Sequence, residues 1–149
     1  MTALSADLGF LLSRTSGLVV RASNAALAAD GLRVRQYSVL ALACDTVGGM
    51  SQRELAQVLG LDPSQVVALV DELAGAELVE RRPDPADRRT RLVVATPAGR
   101  GTRQTAAARV AEAAVEPLRS LTEEERGTLE RLLGRVVADA GSPADARGR

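Results

Sequence analysis

The sequence predicts a mainly α-helical fold that carries one small β-hairpin. Apolar residues recur at intervals of three and four over most of the 149 residues, which is the spacing of amphipathic helices. One stretch in the middle of the chain has the turn residues and the β-branched residues of a hairpin. Aromatic residues make up only 1% of the chain, so its core must consist of Leu, Val and Ala, which suits closely packed helices.

The composition excludes several classes of protein. The chain has 46% hydrophobic residues, enough for a folded core, and no histidine, which excludes His-based zinc sites and Ser-His or Cys-His catalysis. Cys44 is the only cysteine, so an internal disulfide cannot form, and a cytoplasmic location is expected. No apolar run approaches the roughly 18 residues needed to span a bilayer, and no P-loop or nucleophile-elbow motif is present. We therefore expect no catalytic residue, metal, cofactor or membrane partner.

Two helices are predicted in the first third of the chain. Residues 6–29 carry apolar side chains on one helical face and are followed by the stop signal Asp30-Gly31. Residues 33–46 form the second predicted helix, with Tyr37 and Cys44 on its inner face. Two glycines follow this segment and are expected to end it.

Two shorter helices separated by a tight turn come next. Ser51 and Glu54 form a capping box at the start of the first, whose inner face is expected to include Val58, and Gly60 ends it. Asp62 is a good N-cap for the second helix, and Gln65 stands where the partner of a capping box would. Two short helices joined by a three-residue turn that contains glycine indicate a helix-turn-helix.

A basic β-hairpin follows the helix-turn-helix. The segment "LVERR" predicts the outgoing strand, "PDPAD" a stiff turn, and "RRTRLVVA" the returning strand. Thr96-Pro97 then begins an Ala-rich helix that extends to about Val115. A capping box from Thr122 to Glu125 begins the last helix, and residues 141–149 are expected to be disordered.

The charge is neutral in sum but unevenly distributed. Between Arg53 and Glu80 one arginine stands against six acidic residues, whereas between Arg81 and Arg109 eight arginines stand against two. The second short helix could enter a DNA major groove. Its N-terminal N–H groups, including that of Ser64, favour phosphate. The guanidinium groups of the hairpin can enter a minor groove. This arrangement favours double-stranded DNA as the partner, and the alternative is a protein-interaction module that binds an acidic partner.

The middle of the sequence resembles a known family of DNA-binding proteins. The segment "LGLDPSQVVALVDELAGAELVERRPDPADRRTRLVVATPAGR" is similar to the recognition helix and wing of MarR-type transcription regulators, most strongly at "LVDEL", "LVERRPDPADRR" and "TPAGR". The order and length of the flanking helices extend the resemblance to residues 5–140. The resemblance implies a winged helix-turn-helix lobe at residues 33–96 and helical dimerisation regions at residues 1–32 and 97–140. It also implies a homodimer that acts on a palindromic operator, as a repressor.

The resemblance and the helical periodicity together predict the residues of the site. The resemblance places Arg89 in the minor groove, oriented by Asp87, whose carboxylate is expected to accept a hydrogen bond from a nearby guanidinium. The predicted DNA-binding residues are Ser51, Gln52, Ser64, Gln65, Val67, Ala68, Arg82, Arg88, Arg89 and Arg91. The predicted dimer interface consists of apolar residues on the flanking helices: Leu8, Leu11, Leu12, Leu118, Leu129, Leu132, Leu133 and Val136.

Two positions depart from the family pattern. Ala68 occupies a position that is often polar or basic, so thymine-methyl contacts and DNA shape are expected to contribute more to selectivity than base hydrogen bonds do. Glu77 occupies the position of the glycine that usually precedes the first wing strand. The preceding helix is therefore expected to end at Gly75.

A small organic anion is a further expected partner, because members of the family often bind aromatic acids between the dimer helices and the DNA-binding lobe. The predicted pocket comprises Arg14, Leu18, Tyr37 and Cys44. The alternative for Arg14 is an ion pair with an acidic residue across the dimer. Tyr37 is also typical of a core residue with its hydroxyl at an edge, and Cys44 of a small buried apolar residue rather than a redox sensor.

Overall fold

The computed structural model describes residues 3–140, and the tail predicted at residues 141–149 lies outside them. The described chain contains six α-helices and a small antiparallel sheet of three strands. The helices are α1 (Leu8–Leu27), α2 (Val34–Asp45), α3 (Gln52–Leu59), α4 (Pro63–Gly75), α5 (Pro97–Val115) and α6 (Glu123–Ala140). The strands are β1 (Met50–Ser51), β2 (Val79–Pro83) and β3 (Arg91–Ala95). The predicted fold class, a mainly helical chain with a winged helix-turn-helix, is confirmed.

The helix boundaries follow the capping residues. α1 begins after Asp7, whose side chain accepts a hydrogen bond of 2.7 Å from the N–H of Phe10. It ends at Leu27 and continues as one 3₁₀ turn to Asp30, and Gly31 then takes a left-handed conformation. The capping boxes predicted at α3 and α4 are both present.

The sheet has one strand that the sequence did not predict. Its order is β1-β3-β2, with Met50 of β1 and Arg81 of β2 both paired with Val93 of β3. Gly49 precedes β1 with a φ of 92°, and a Cβ at this position would lie 2.5 Å from the carbonyl oxygen of Val93. Only glycine permits this approach, so Gly49 is what allows the start of α3 to join the wing.

The core lies among α1 to α5 and the sheet. Its largest fully buried side chains are Leu27, Val39, Leu40, Leu55, Val66, Val70, Leu73 and Val93. Burial of each such side chain contributes about 1.5–3 kcal/mol to folding. Val58 was expected on the inner face of α3, but its side chain is 55% exposed and Ala56 is buried instead.

The junction of α4 and β2 contains an unusual backbone conformation. α4 ends at Gly75, as predicted, and Ala76 is its C-cap. Glu77 then has a φ of 59°, the left-handed conformation that glycine usually supplies. The N–H of Leu78 donates to the Leu73 carbonyl at 2.9 Å and the N–H of Glu77 to the Ala74 carbonyl at 3.0 Å, so a Schellman motif forms without glycine.

The described chain divides into two compact units, with the boundary between Pro117 and Leu118. The second unit contains α6, which begins with the predicted capping box: the Glu125 N–H donates to Thr122 Oγ1 at 3.2 Å, and the Thr122 N–H donates to Glu125 Oε2 at 2.7 Å. α6 exposes a row of large apolar side chains, which are Leu132, Leu133, Val136 and Val137.

Candidate nucleic-acid interface

Helix α4 presents a narrow exposed face that continues from its N-terminus. Val66, Val70 and Leu73 are buried in the core, so the rotation of the helix is fixed by packing. The exposed face contains every residue predicted there, namely Ser64, Gln65, Val67 and Ala68. Because this face combines two polar side chains with two small apolar ones, it can make both hydrogen bonds and methyl contacts in a DNA groove.

The N-terminus of α4 is already capped from within. The N–H and hydroxyl of Ser64 both donate to Asp62 Oδ1, at 2.8 and 2.6 Å, and the Asp62 N–H donates to Gln65 Oε1 at 3.2 Å. The hydrogen bonds from Ser64 hold the pKa of the Asp62 carboxyl below its usual range. The Ser64 N–H, which was expected to favour phosphate, therefore donates to a carboxylate of its own helix cap.

The start of α3 places a second polar pair beside the wing. Ser51 and Glu54 form reciprocal hydrogen bonds, and the Ser51 N–H and hydroxyl lower the pKa of the Glu54 carboxyl. Gln52 is the first residue of α3, and its Oε1 accepts from both Nε and Nη2 of Arg81 at 3.0 and 2.8 Å. Both Ser51 and Gln52 are half-buried.

The wing carries a groove lined by guanidinium groups. A concave surface with a volume of about 540 Å³ is lined by Arg82, Arg88 and Arg91 together with Pro83, Asp84 and Pro85. All three arginines are exposed, and Arg82 pairs with Glu80 on the same strand. The groove therefore combines three cations with one acidic residue, a composition suited to phosphate groups.

The tip of the wing is ordered by its own acidic residues. Asp87 Oδ1 accepts from the backbone N–H of Arg89 at 3.0 Å, and its Oδ2 accepts from the Thr90 hydroxyl at 3.2 Å. Asp84 caps the other side of the turn by accepting from the Ala86 N–H at 2.8 Å. Asp87 does brace the tip next to the exposed Arg89, but through the backbone and a hydroxyl, not through the guanidinium partner that was expected.

The residues predicted for a dimer interface are largely uncovered in the single chain. In α1, Leu8, Leu11 and Leu12 are exposed, with 70% of Leu8 accessible. In the second unit, Leu132, Leu133 and Val136 are exposed, and the remaining two predicted residues, Leu118 and Leu129, are half-buried.

The four residues predicted for an effector pocket have different surroundings. Arg14 and Leu18 are exposed on α1. Tyr37 is half-buried, and its hydroxyl accepts from Arg103 Nη1 at 2.8 Å, with the guanidinium 5.2 Å from the ring centroid. Burial raises the pKa of the Cys44 thiol, and the neighbouring Asp45 charge raises it further, against the opposing effect of Arg103 and Arg100. A protonated, half-buried thiol is a poor redox sensor.

A cavity with a volume of about 550 Å³ lies elsewhere, between α1, the start of α2 and α4. It is lined by Val20, Asn24, Gly31, Arg33, Val34, Arg35, Gln36, Leu69 and Glu72, and by none of the four predicted pocket residues. Arg33 and Arg35 are exposed and were missed by the sequence analysis. The available signal was a pair of arginines two positions apart at a helix start that has no acidic residue in its first turn.

Residues 3–140 contain neither a candidate membrane span nor a candidate metal site. No helix there combines the length and apolar content required to cross a membrane. The same residues contain no cluster of three or more His, Cys, Asp or Glu side chains that could hold a metal ion.

Comparisons with known proteins identify the family. A sequence model of the MarR family matches residues 30–90. A protein of Thauera aromatica named "Putative transcriptional regulatory protein for hcr operon" is 30% identical over 97% of this chain and 87% of its own. The structure of CouR from Rhodococcus jostii RHA1 bound to p-coumaroyl-CoA is 47% identical and has a TM-score of 0.82 over 92% of this chain and 96% of that one. A MarR family transcriptional regulator from Rhodococcus sp. RHA1 is 46% identical, with a TM-score of 0.86 over the same shares. The chain described here belongs to the MarR family of transcriptional regulators.

Proposed function

We propose that this protein is a homodimeric repressor that binds a palindromic operator through α4 and the wing. The observation that carries the proposal is the proximity of two surfaces. The exposed face of α4 is joined to the arginine-lined wing through Arg81, which contacts Asp71 of α4 at 2.6 Å. Insertion of α4 into a major groove would bring Arg89 and the groove of Arg82, Arg88 and Arg91 toward the adjacent backbone and minor groove.

Uncovered apolar surface supports the proposed dimer. Each of the two compact units exposes a group of large apolar residues, around Leu8 in α1 and around Val136 in α6. Leaving several such side chains in water is unfavourable, and grouped apolar patches on a helical protein are typical of protein interfaces. A second copy of the chain would cover the same patches on both subunits and would present two α4 helices to one face of DNA.

Titration of duplex DNA tests the proposal. We expect the wild-type protein to bind the DNA that flanks its own gene, with an affinity that falls steeply between low and moderate salt. Arg89→Ala should weaken this binding about tenfold or more and leave the dimer intact. Arg131→Ala on α6, which makes the same change of charge, is the matched control. Failure of the wild-type protein to bind any duplex would favour the alternative, a module that binds an acidic protein.

We further propose that an anionic aromatic thioester of the p-coumaroyl-CoA type controls DNA binding through the cavity between α1, α2 and α4. CouR was solved with this ligand, and the cavity here offers matching chemistry. Val20, Val34 and Leu69 supply apolar surface, and the two cations Arg33 and Arg35 outnumber the one acidic residue, Glu72. An effector must bind one state of the protein better than the other. Two residues of α4 line the cavity, so a ligand bound there would favour one position of α4 over another.

Ligand titration with and without DNA tests the effector proposal. We expect p-coumaroyl-CoA to bind the free protein and to release DNA, and we expect Arg33→Ala and Arg35→Ala to weaken the binding of the thioester. Free p-coumarate and free coenzyme A, tested separately, show whether both the apolar and the anionic parts are required. If the thioester leaves the DNA complex unchanged at saturating concentration, the effector proposal is wrong while the DNA-binding proposal stands.

A further inference from the structure

One guanidinium group joins three elements of the DNA-binding lobe. Arg81 lies in β2, Gln52 is the first residue of α3, and Asp71 lies in the middle of α4. Arg81 Nη2 donates to Asp71 Oδ1 at 2.6 Å and to Gln52 Oε1 at 2.8 Å, and Arg81 Nε donates to the same Gln52 oxygen at 3.0 Å. No other described hydrogen bond links the side chains of these three elements.

The contacts fix the direction of the Gln52 carboxamide. Both donors from Arg81 reach Oε1, so the amide cannot turn over without losing two hydrogen bonds. The Nε2 group of Gln52 is thereby left to donate elsewhere. Gln52 stands in the first turn of α3, next to the Ser51 and Glu54 capping box that already occupies the helix N-terminus.

The position of Arg81 makes it a support and not a surface contact. Only 31% of its side chain is exposed, whereas 63% of the side chain of neighbouring Arg82 is exposed. Asp71 balances its charge, so Arg81 adds little to the net attraction for DNA. In the sheet, Arg81 is paired with the fully buried Val93, which fixes its backbone.

We propose that Arg81 is a positioning residue that presents Nε2 of Gln52 to a DNA phosphodiester and holds the wing against α4. This inference rests on the proposed DNA-binding function. Arginine is required because its planar fork holds donors to two acceptors in fixed directions, whereas a lysine ammonium is a compact charge on a flexible stem and would not fix the Gln52 amide.

The first test replaces the donor and keeps the acceptor. In Gln52→Glu the side chain still accepts from Arg81 but has no N–H group to offer. We expect this variant to unfold at the wild-type temperature or above and to bind operator DNA at least about tenfold more weakly. Gln57→Glu, an exposed position on the same helix, makes the same change of charge and should alter the affinity by less than about threefold. Equal affinities for the two variants would overturn the inference.

The second test is a double-mutant cycle between Gln52→Ala and Arg81→Lys. If Arg81 acts through Gln52, each single variant should lose about tenfold in affinity, and the double variant should be no weaker than either single variant. If the loss of affinity in the double variant equalled the product of the two single losses, the two residues would act separately, and the inference would also be overturned. Arg81→Ala combined with Asp71→Asn keeps the net charge of the protein. The slope of log affinity against log salt concentration should therefore match that of the wild type. A slope smaller by about one would instead make Arg81 itself the phosphate contact. Failure of the wild-type protein to bind DNA would reject the proposed DNA-binding function, and the role of Arg81 that rests on it would fail as well.

Discussion

Gly99 lies so close to the backbone of Leu78 that a Cβ on Gly99 would be 2.0 Å from the Leu78 carbonyl oxygen. The contact is reinforced by Thr96, whose hydroxyl donates to the Glu77 carbonyl at 2.7 Å and accepts from the Gly99 N–H at 3.0 Å. The "TPAGR" segment is therefore the joint at which α5 packs against Leu78, the residue that directly precedes β2.

Replacement of Gly99 should be severe. Gly99→Ala places a methyl group far inside the van der Waals contact distance of a backbone oxygen, so α5 or β2 must move, and we expect a loss of about 3 kcal/mol or more in the free energy of unfolding. Urea denaturation at fixed protein concentration measures this loss. Gly101→Ala in the same helix meets no atom within 4 Å and should be neutral or stabilising. Similar midpoints for the two variants would contradict the account of this joint.

Replacement of Glu77 should stabilise the protein. Glu77 holds a left-handed conformation that costs a non-glycine residue about 1 kcal/mol, and Glu77→Gly should recover most of this cost. Gly60, which ends α3 with a φ of 62°, provides the converse experiment. We expect Gly60→Ala to lower the free energy of unfolding by about 1 kcal/mol, and thermal unfolding of the two variants should shift in opposite directions.

The apolar row of α6 should be required for self-association. Val136→Glu places a charge among exposed apolar side chains, and burial of that charge in an interface is strongly unfavourable. We expect sedimentation velocity to show a monomer at concentrations where the wild type is a dimer. Val47→Glu is the matched control, because Val47 is fully exposed in the loop after α2. If the Val136→Glu variant remained a dimer, α6 would be excluded as part of the interface.

Acid should weaken the helix-turn-helix. The pKa values of Glu54 and Asp62 are lowered in the folded protein by hydrogen bonds from Ser51 and Ser64. Stability from a lowered carboxyl pKa is present above the unfolded value and is lost as the pH falls through the folded one. We therefore expect the urea concentration at half-unfolding to decrease once the pH is lowered below about 4, where carboxyl groups ordinarily titrate. This acid-induced loss of stability should be smaller in the double variant Glu54→Gln and Asp62→Asn. A pH profile identical to that of the wild type would exclude the two caps as the cause of the loss.

Local features of the fold could be predicted from the sequence. Capping boxes depend on residues three positions apart, and those at Ser51, Asp62 and Thr122 all form as expected. The exposed face of α4 was also predictable, because helical spacing alone separates buried Val66 and Val70 from the rest.

Features that depend on distant parts of the chain could not be predicted in the same way. The two-residue strand β1 exists only because Gly49 meets Val93, and neither residue signals the pairing by itself. The contact of Arg81 with Gln52 joins residues 29 positions apart, so the arginine count of the wing did not separate this supporting residue from the exposed ones. Likewise, the expected partner of Asp87 was a guanidinium, whereas the closer backbone N–H of Arg89 took that place.

Hydroxyl-radical footprinting of the protein on DNA that flanks its own gene tests the central claim most directly. A dimer that inserts two α4 helices into successive major grooves should protect two regions on one face of the duplex, related by a twofold axis and about 34 Å apart. Additional protection should flank them where the wings reach the backbone, and it should be lost in Arg89→Ala. A single protected region, or protection that is absent at low salt, would contradict the account.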